Sequence, residues 1–267
     1  MIFDTHCHLT HPRLAEEADA IVERARATGL SGCITIGTGV ADGRRTRDLT
    51  SRFPGFVHRT VGIDPFSAHS AGDEFDDEFQ EMRQLLAQGG FVALGEIGLD
   101  YHYDLDPRPV QAERFERQLE LAATLGLPVV IHVRDAHDDM AAILGKHSQN
   151  HGVIHSFTGG PIEARRYLDL GWYLGFGGVL TLRNAEGVRE AARLAPHDRL
   201  LVETDSPYLA PVPVRGRRCE PAFVAHTLKH LAEVRDEPYE ELRGHAIGNA
   251  LRLFNISAEP RQGEKGN

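Results

Sequence analysis

Residues 111–136 read QAERFERQLELAATLGLPVVIHVRDA. The part up to Leu125 is rich in good helix formers and predicts a helix over 108–125. Gly126-Leu127-Pro128 then reads as a helix stop followed by a strand start. Pro128–Ile131 is a short apolar run, the pattern of a buried strand, and His132 stands directly behind it. Helix, tight turn, buried strand and a polar residue at the strand's end make one step of an alternating pattern.

The same step recurs along the chain. Strand-like runs fall at Met1–Thr5, Leu30–Ile36, Val57–Ile63, Phe91–Gly95, Pro128–Ile131, Gly152–Ile154, Trp172–Phe176 and Leu200–Thr204. Helix-like stretches lie near 13–28, 41–52, 75–88, 108–125, 136–148, 161–170, 184–194 and 219–235, and one more over 238–254 ends the series. This alternation predicts a parallel sheet with crossover helices. Eight repeats within 267 residues predict an α/β fold closed as a TIM-like (β/α)8 barrel rather than an open sheet. No linker to a second domain is visible. A single domain is expected over 1–258, with the polar segment 259–267 as a disordered tail.

Composition bounds the function. The chain is 41% hydrophobic and 25% charged, which excludes a wholly disordered or fibrous protein. Its net charge of −10 excludes a passive DNA-coating protein, which would be basic. Local neutralisation of phosphates by metals and a few arginines is still open. Three widely spaced cysteines, Cys7, Cys33 and Cys219, make a disulfide framework unexpected and fit a reducing cytosol. MIFDTHCHL at the N-terminus lacks the basic and apolar regions of a signal peptide, and no apolar run is long enough to span a membrane. A cytoplasmic monomer without membrane contact is expected.

The 15 histidines point to a metal or acid–base site. His6 and His8 form an H-x-H pair, and in an extended segment both rings reach the same side. Glu96, His132, His155 and Asp205 each follow an apolar run, at the ends of the fourth, fifth, sixth and eighth expected strands. In a barrel those ends converge on one face, where barrel active sites lie. Each residue alone is more often a hydrogen-bonded core or rim residue than a ligand. Buried together, six such groups call for a shared cation. They exceed the ligand set of one catalytic zinc and suit two ions, with Glu96 the natural bridging carboxylate.

At these residues the chain resembles the TatD-type metal-dependent deoxyribonucleases of the amidohydrolase superfamily. The matching stretches are FDTHCHL (3–9), ALGEIGLDYHYD (93–104), QAERFERQLELAATLGLPVVIHVRDA (111–136), HSFTG (155–159) and LLVETDSPYLAPVPVRGRRCEPAF (200–223). The resemblance implies a two-metal site in which one ion takes His6, His8, Glu96 and Asp205. The other takes Glu96, His132 and His155. It also implies a 3′–5′ exodeoxyribonuclease on single-stranded DNA or RNA, with a role in DNA repair. One stretch departs from the family's G-x-H-P-H: here it is Gly62-Ile63-Asp64-Pro65-Phe66. Asp64 keeps a metal-binding side chain, whereas Phe66 only packs or stacks on a base.

The implied chemistry assigns further roles. Two ions would activate water for attack on phosphorus, with Asp205 as its proton acceptor. Imidazole and carboxylate donors together suit Zn2+, Mn2+ or Co2+, and Mg2+ alone less well. Arg134 can reach a phosphate or pair with Asp135 or Asp138. Arg215, Arg217 and Arg218 suggest a phosphate clamp, or a solvated loop. Tyr101 and His102 are candidate base platforms, and core packing is the better reading of Tyr103. Glu203 is expected to support a metal ligand from behind. A competing enzyme reading is an ester hydrolase such as a D-aminoacyl-tRNA deacylase. The carbamylated lysine that bridges the metals of many amidohydrolases has its place taken by Glu96. A non-catalytic metal or nucleic-acid binding module predicts lost ligands, and all six are present.

Overall fold

The computed structural model describes residues 1–257, so the tail expected at 259–267 lies outside the described residues. Its strands are β1 (Ile2–Cys7), β2 (Leu30–Thr35), β3 (Val57–Val61), β4 (Ala93–Asp100), β5 (Val129–Arg134), β6 (Gly152–Ile154), β7 (Tyr173–Phe176) and β8 (Leu200–Val202). Each pairs in parallel with the next, from β1 through to β8. The seam between β8 and β1 is joined just beyond the strands. There the Asp205 N–H donates to the His6 carbonyl at 2.8 Å, and the His8 N–H donates to the Ser206 carbonyl at 2.7 Å. This is the expected TIM-like barrel.

The helices are α1 (Ala18–Ala27), α2 (Val40–Thr50), α3 (Pro65–Ala71), α4 (Phe75–Ala87), α5 (Arg108–Leu125), α6 (His137–Lys146), α7 (Pro161–Asp169), α8 (Glu186–Leu194), α9 (Val224–Arg235) and α10 (Tyr239–Leu253). The short α3 is not among the helices read from the sequence. Its apolar positions are too few to show a period, and it is set up locally instead. Pro65 occupies the first turn, and the Asp64 side chain accepts from the Ser67 N–H at 3.1 Å.

Two layers of apolar side chains hold the barrel. Phe3, Ile34, Ile36, Ala93, Val130, Val153, Tyr173 and Leu201 pack inside it, and Ala250, Leu253 and Phe254 from the end of α10 close that layer. Leu94, Ile131, Ile154, Leu174 and Leu200 face outward against the helices. Strict alternation therefore carries Val130 to His132, Val153 to His155, and Leu201 to Glu203 and Asp205 along one interior face.

Two strands break that alternation. The register of β1 slips between Asp4 and Cys7, and that of β4 slips between Gly95 and Ile97. Counting by twos from Phe3 and Ala93 would turn Cys7 and Ile97 inward. Both belong to the outer core instead. The irregularity rotates His6, His8 and Glu96 into the barrel mouth, which is how bulges re-aim side chains near active sites.

Three strands also run further than the sequence suggests. β4 continues to Asp100 rather than ending at Gly95, β5 to Arg134 rather than Ile131, and β1 to Cys7 rather than Thr5. His6, Glu96 and His132 consequently lie within strands, not just beyond them. Gly95 and Gly98 are demanded by the neighbouring β5. A Cβ on Gly98 would lie 1.9 Å from the His132 carbonyl oxygen, and one on Gly95 would lie 2.6 Å from that of Val130.

Candidate metal centre

The six residues picked from the sequence meet at the mouth of the barrel. Glu96 stands at the centre, and its two carboxylate oxygens face different partners. Oε1 lies 2.9 Å from His132 Nδ1 and 3.0 Å from His155 Nε2. Oε2 lies 3.4 Å from His6 Nε2 and 3.9 Å from His8 Nε2. Asp205 Oδ1 closes the second group, 3.3 Å from His8 Nε2 and 3.8 Å from His6 Nε2. Donor atoms of His6, His8 and Glu96 lie within 4.8 Å of one another, as do those of Glu96, His132 and His155.

The electrostatics fit divalent cations. Burial alone would neutralise Glu96 and Asp205. Against that penalty, His155, His132 and His6 hold Glu96 well below the usual carboxylate range, and His8 with His155 and His6 holds Asp205 down. The carboxylates in turn charge the imidazoles. Against its own burial, His132 is raised to about 9 by hydrogen bonds to Asp100 and Glu96, and His155 is raised by Glu96 and Glu203. His6 goes the other way, lowered by burial and by neighbouring His155, which keeps it a neutral donor. The pocket thus demands positive charge beside two ionised carboxylates, and imidazole with carboxylate oxygen is the donor set that borderline divalent ions take.

Supporting groups stand behind the donors. His132 Nε2 contacts Asp100 Oδ2, and His155 Nδ1 lies 3.3 Å from Glu203 Oε1. Glu203 also accepts from the Ser156 N–H. Glu203 is fully buried beneath His155, the position expected of it. Asp4 is a further support that sequence reasoning missed. Its carboxylate accepts from the Thr204 N–H at 2.9 Å and the Thr204 hydroxyl at 2.6 Å, tying β1 to the segment that carries Asp205. Burial pushes Asp4 up to about 8. Asp100 was missed as well. The available signal for both was an acid inside an apolar strand, Asp4 in IFDTH and Asp100 in EIGLD, where a lone charge is costly.

A cavity of about 900 Å3 opens over the cluster. His102 and Arg134 line it, together with Phe66, Tyr103 and Tyr208. The two tyrosines near β4 exchange the places expected of them. Tyr103 is 53% exposed and lines the cavity. Tyr101 turns away, its hydroxyl donating to Asp139 at 2.7 Å and its ring lying under Arg108. The extension of β4 to Asp100 moves the tip of the loop, and with it the residue that reaches the mouth. Arg134 lies over the Tyr103 ring at 5.1 Å; Asp135 pairs with His102 and Asp138 with Arg166.

Two further candidates are committed elsewhere. Arg218 makes a two-pronged bond to Glu17, at 2.9 and 3.0 Å, and is not available as part of a phosphate clamp with Arg215 and Arg217. Asp64 lines the cavity but spends one oxygen capping α3, and burial raises its pKa. Phe66 packs edge-on against Tyr103 at 5.3 Å and His132 at 6.4 Å. Among the described residues no helix is long and apolar enough to cross a membrane.

The chain's relatives share this architecture. It is 39% identical over 266 residues to the uncharacterized metal-dependent hydrolase YcfH of Escherichia coli K12, covering 98% of each chain. It is 35% identical over 264 residues to the 3′-5′ ssDNA/RNA exonuclease TatD of Erwinia billingiae, covering 96% of this chain and all of that one. Among solved structures it superposes on YjjV, a TatD homolog of Escherichia coli K12, with a TM-score of 0.89 at 30% identity, covering 96% of this chain and 98% of that one. The family model for TatD related DNase matches residues 3–255. With that span matched and relatives aligned end to end, the chain belongs to the TatD related DNase family and is a metal-dependent hydrolase.

Proposed function

We propose that the protein removes nucleotides from the 3′ end of single-stranded DNA or RNA by hydrolysing the phosphodiester bond at a pair of divalent ions. The observation that carries this reading is the division of Glu96, one oxygen toward His132 and His155 and the other toward His6 and His8. A carboxylate so placed suits two neighbouring ions, with Asp205 completing the His6–His8 side. The direction and the substrate are taken from relatives named as 3′-5′ ssDNA/RNA exonucleases.

Such ions, when bound, supply an acidified water at neutral pH and stabilise negative charge on phosphoryl oxygens. Their identity is proposed as Zn2+ or Mn2+, with Mg2+ as a third option, on the grounds of the mixed donor set. Asp205 is ionised and stands at the rim of the cluster, so it is the group placed to take a proton from attacking water. Phe66, Tyr103 and Arg134 form an aromatic and cationic wall beside His132, suited to stacking the terminal base and meeting its phosphate.

The test is cleavage by chelator-stripped protein reconstituted separately with Mg2+, Mn2+ or Zn2+. The substrates are 3′- and 5′-labelled single-stranded DNA and RNA, with a D-aminoacyl-tRNA in parallel. Shortening from the 3′ end, absent in Glu96→Ala, is expected. Intact nucleic acid with released D-amino acid would instead make the protein a deacylase.

A further inference from the structure

The cavity over the metal-ligand cluster is not isolated. Beyond Tyr208 and Leu209 lies a second hollow of about 370 Å3, and these two residues with Val179 line both. The second hollow also carries Arg13, Arg215 and Arg217. Arg13 comes from the loop after β1, and the other two come from the loop between β8 and α9. All three are exposed, and no ion pair joins any of them to a carboxylate among the described residues.

Several other arginines of this surface are paired. Arg24 and Arg218, on the same side of the molecule, are taken by Glu220 and Glu17, and Arg26, Arg44 and Arg243 pair with Glu23, Glu81 and Glu240. The chain carries 39 acidic against 29 basic residues, so neutralising partners are abundant. Three guanidinium groups that line one hollow without such partners favour an anion among them. Tyr208 stands between the hollow and the cluster, 44% exposed, with its hydroxyl 3.0 Å from His11 Nε2. Guanidinium groups fit phosphate in a two-pronged fashion, and an aromatic ring interleaved with cations is the surface that holds single strands.

We propose that this hollow is the track along which the uncleaved part of the strand leaves the metal cluster. Tyr208 stacks on the base next to the scissile phosphate, and Arg13, Arg215 and Arg217 bind the phosphates that follow. The ligand is a single-stranded phosphodiester backbone of several nucleotides. The inference rests on the nuclease reading above and adds which side of the cavity the retained strand occupies, opposite the Phe66–Tyr103 wall.

The test is binding by Mn2+-loaded protein to labelled single-stranded DNA made uncleavable by phosphorothioate linkages. Fluorescence anisotropy is followed over a KCl series, with one probe of two nucleotides and one of about a dozen. The long probe is expected to bind wild type more tightly than the short one. In Arg13→Ala/Arg215→Ala/Arg217→Ala the long probe is expected to bind about tenfold more weakly at low salt, with a slope of log affinity against log salt shallower by about 2. The same charge removed from the helix surfaces, in Arg26→Ala/Arg44→Ala/Arg243→Ala, is expected to leave the slope unchanged. Equal losses in both variants, or none in the first, would overturn the track. So would a wild type that binds both probes equally, and that result would leave the nuclease reading standing. A wild type that binds neither probe would overturn both. Arg217→Glu repeats the measurement with one exposed substitution.

Discussion

Asp100 Oδ2 lies 2.9 Å from His132 Nε2, on the side of the ring away from Glu96. The imidazole is thereby held between two carboxylates, its Nδ1 presented to the centre of the site. Such a backing carboxylate fixes the ring's orientation and raises its basicity as a ligand. Asp100→Asn is expected to lower metal affinity about 10- to 100-fold, with turnover recovering at saturating metal. Titration calorimetry with Mn2+ or Zn2+ checks it, and an affinity equal to wild type would reduce Asp100 to a loop anchor for the His102 and Tyr103 N–H groups.

Glu96 is the donor common to both groups. Removing it should cost more than removing any support, so Glu96→Ala is expected to lose more than about a hundredfold in turnover. Its metal content after dialysis should also fall below that of wild type. Elemental analysis reads the stoichiometry directly. Retention of the wild-type metal content with activity intact would remove Glu96 from the centre of the mechanism.

Metal binding should be visible in stability. A ligand at a hundred times its Kd stabilises a fold by about 2.7 kcal/mol. For a chain of this size that raises Tm by about 5–10 °C. Differential scanning fluorimetry with excess Zn2+ or Mn2+, reversed by EDTA, measures it. An unchanged Tm in the presence of ion would speak against a built metal centre.

Asp64 separates a structural role from a ligand role. As the cap of α3 it should contribute about 1 kcal/mol, so Asp64→Ala is expected to lower Tm by about 2–4 °C. Asp64→Asn, which keeps an accepting oxygen, should restore most of that. Metal content should stay at the wild-type level in both variants. A fall in bound metal would instead make Asp64 a ligand, as its position in the family motif first suggested.

The barrel was legible because each of its eight units repeats the same local signals, a short apolar run and a longer amphipathic stretch. His132, His155 and Asp205 were legible for a simple reason: from Val130, Val153 and Leu201 they follow by counting in twos. The H-x-H pair was readable as a pair, but the turn that brings it inward was not. It depends on the slipped registers of β1 and β4, which no period announces. The same blind spot cost the tyrosines. The expected strand ended at Gly95, whereas Gly95 and Gly98 are the close approach of β4 to β5, so the loop tip begins later and Tyr103 rather than Tyr101 reaches the cavity. The ion pair of Arg218 with Glu17 joins positions 201 residues apart and leaves no local trace.

The closure of the barrel interior by Ala250, Leu253 and Phe254 has a consequence for how the protein is made. All six candidate ligands have been synthesised once Asp205 is added, yet the inner apolar layer on which they stand is still open at its base. A ribosome must release α10 before that layer is sealed. The catalytic mouth therefore depends on α10, and the nascent protein is expected to gain its grip on metal only after that helix has emerged.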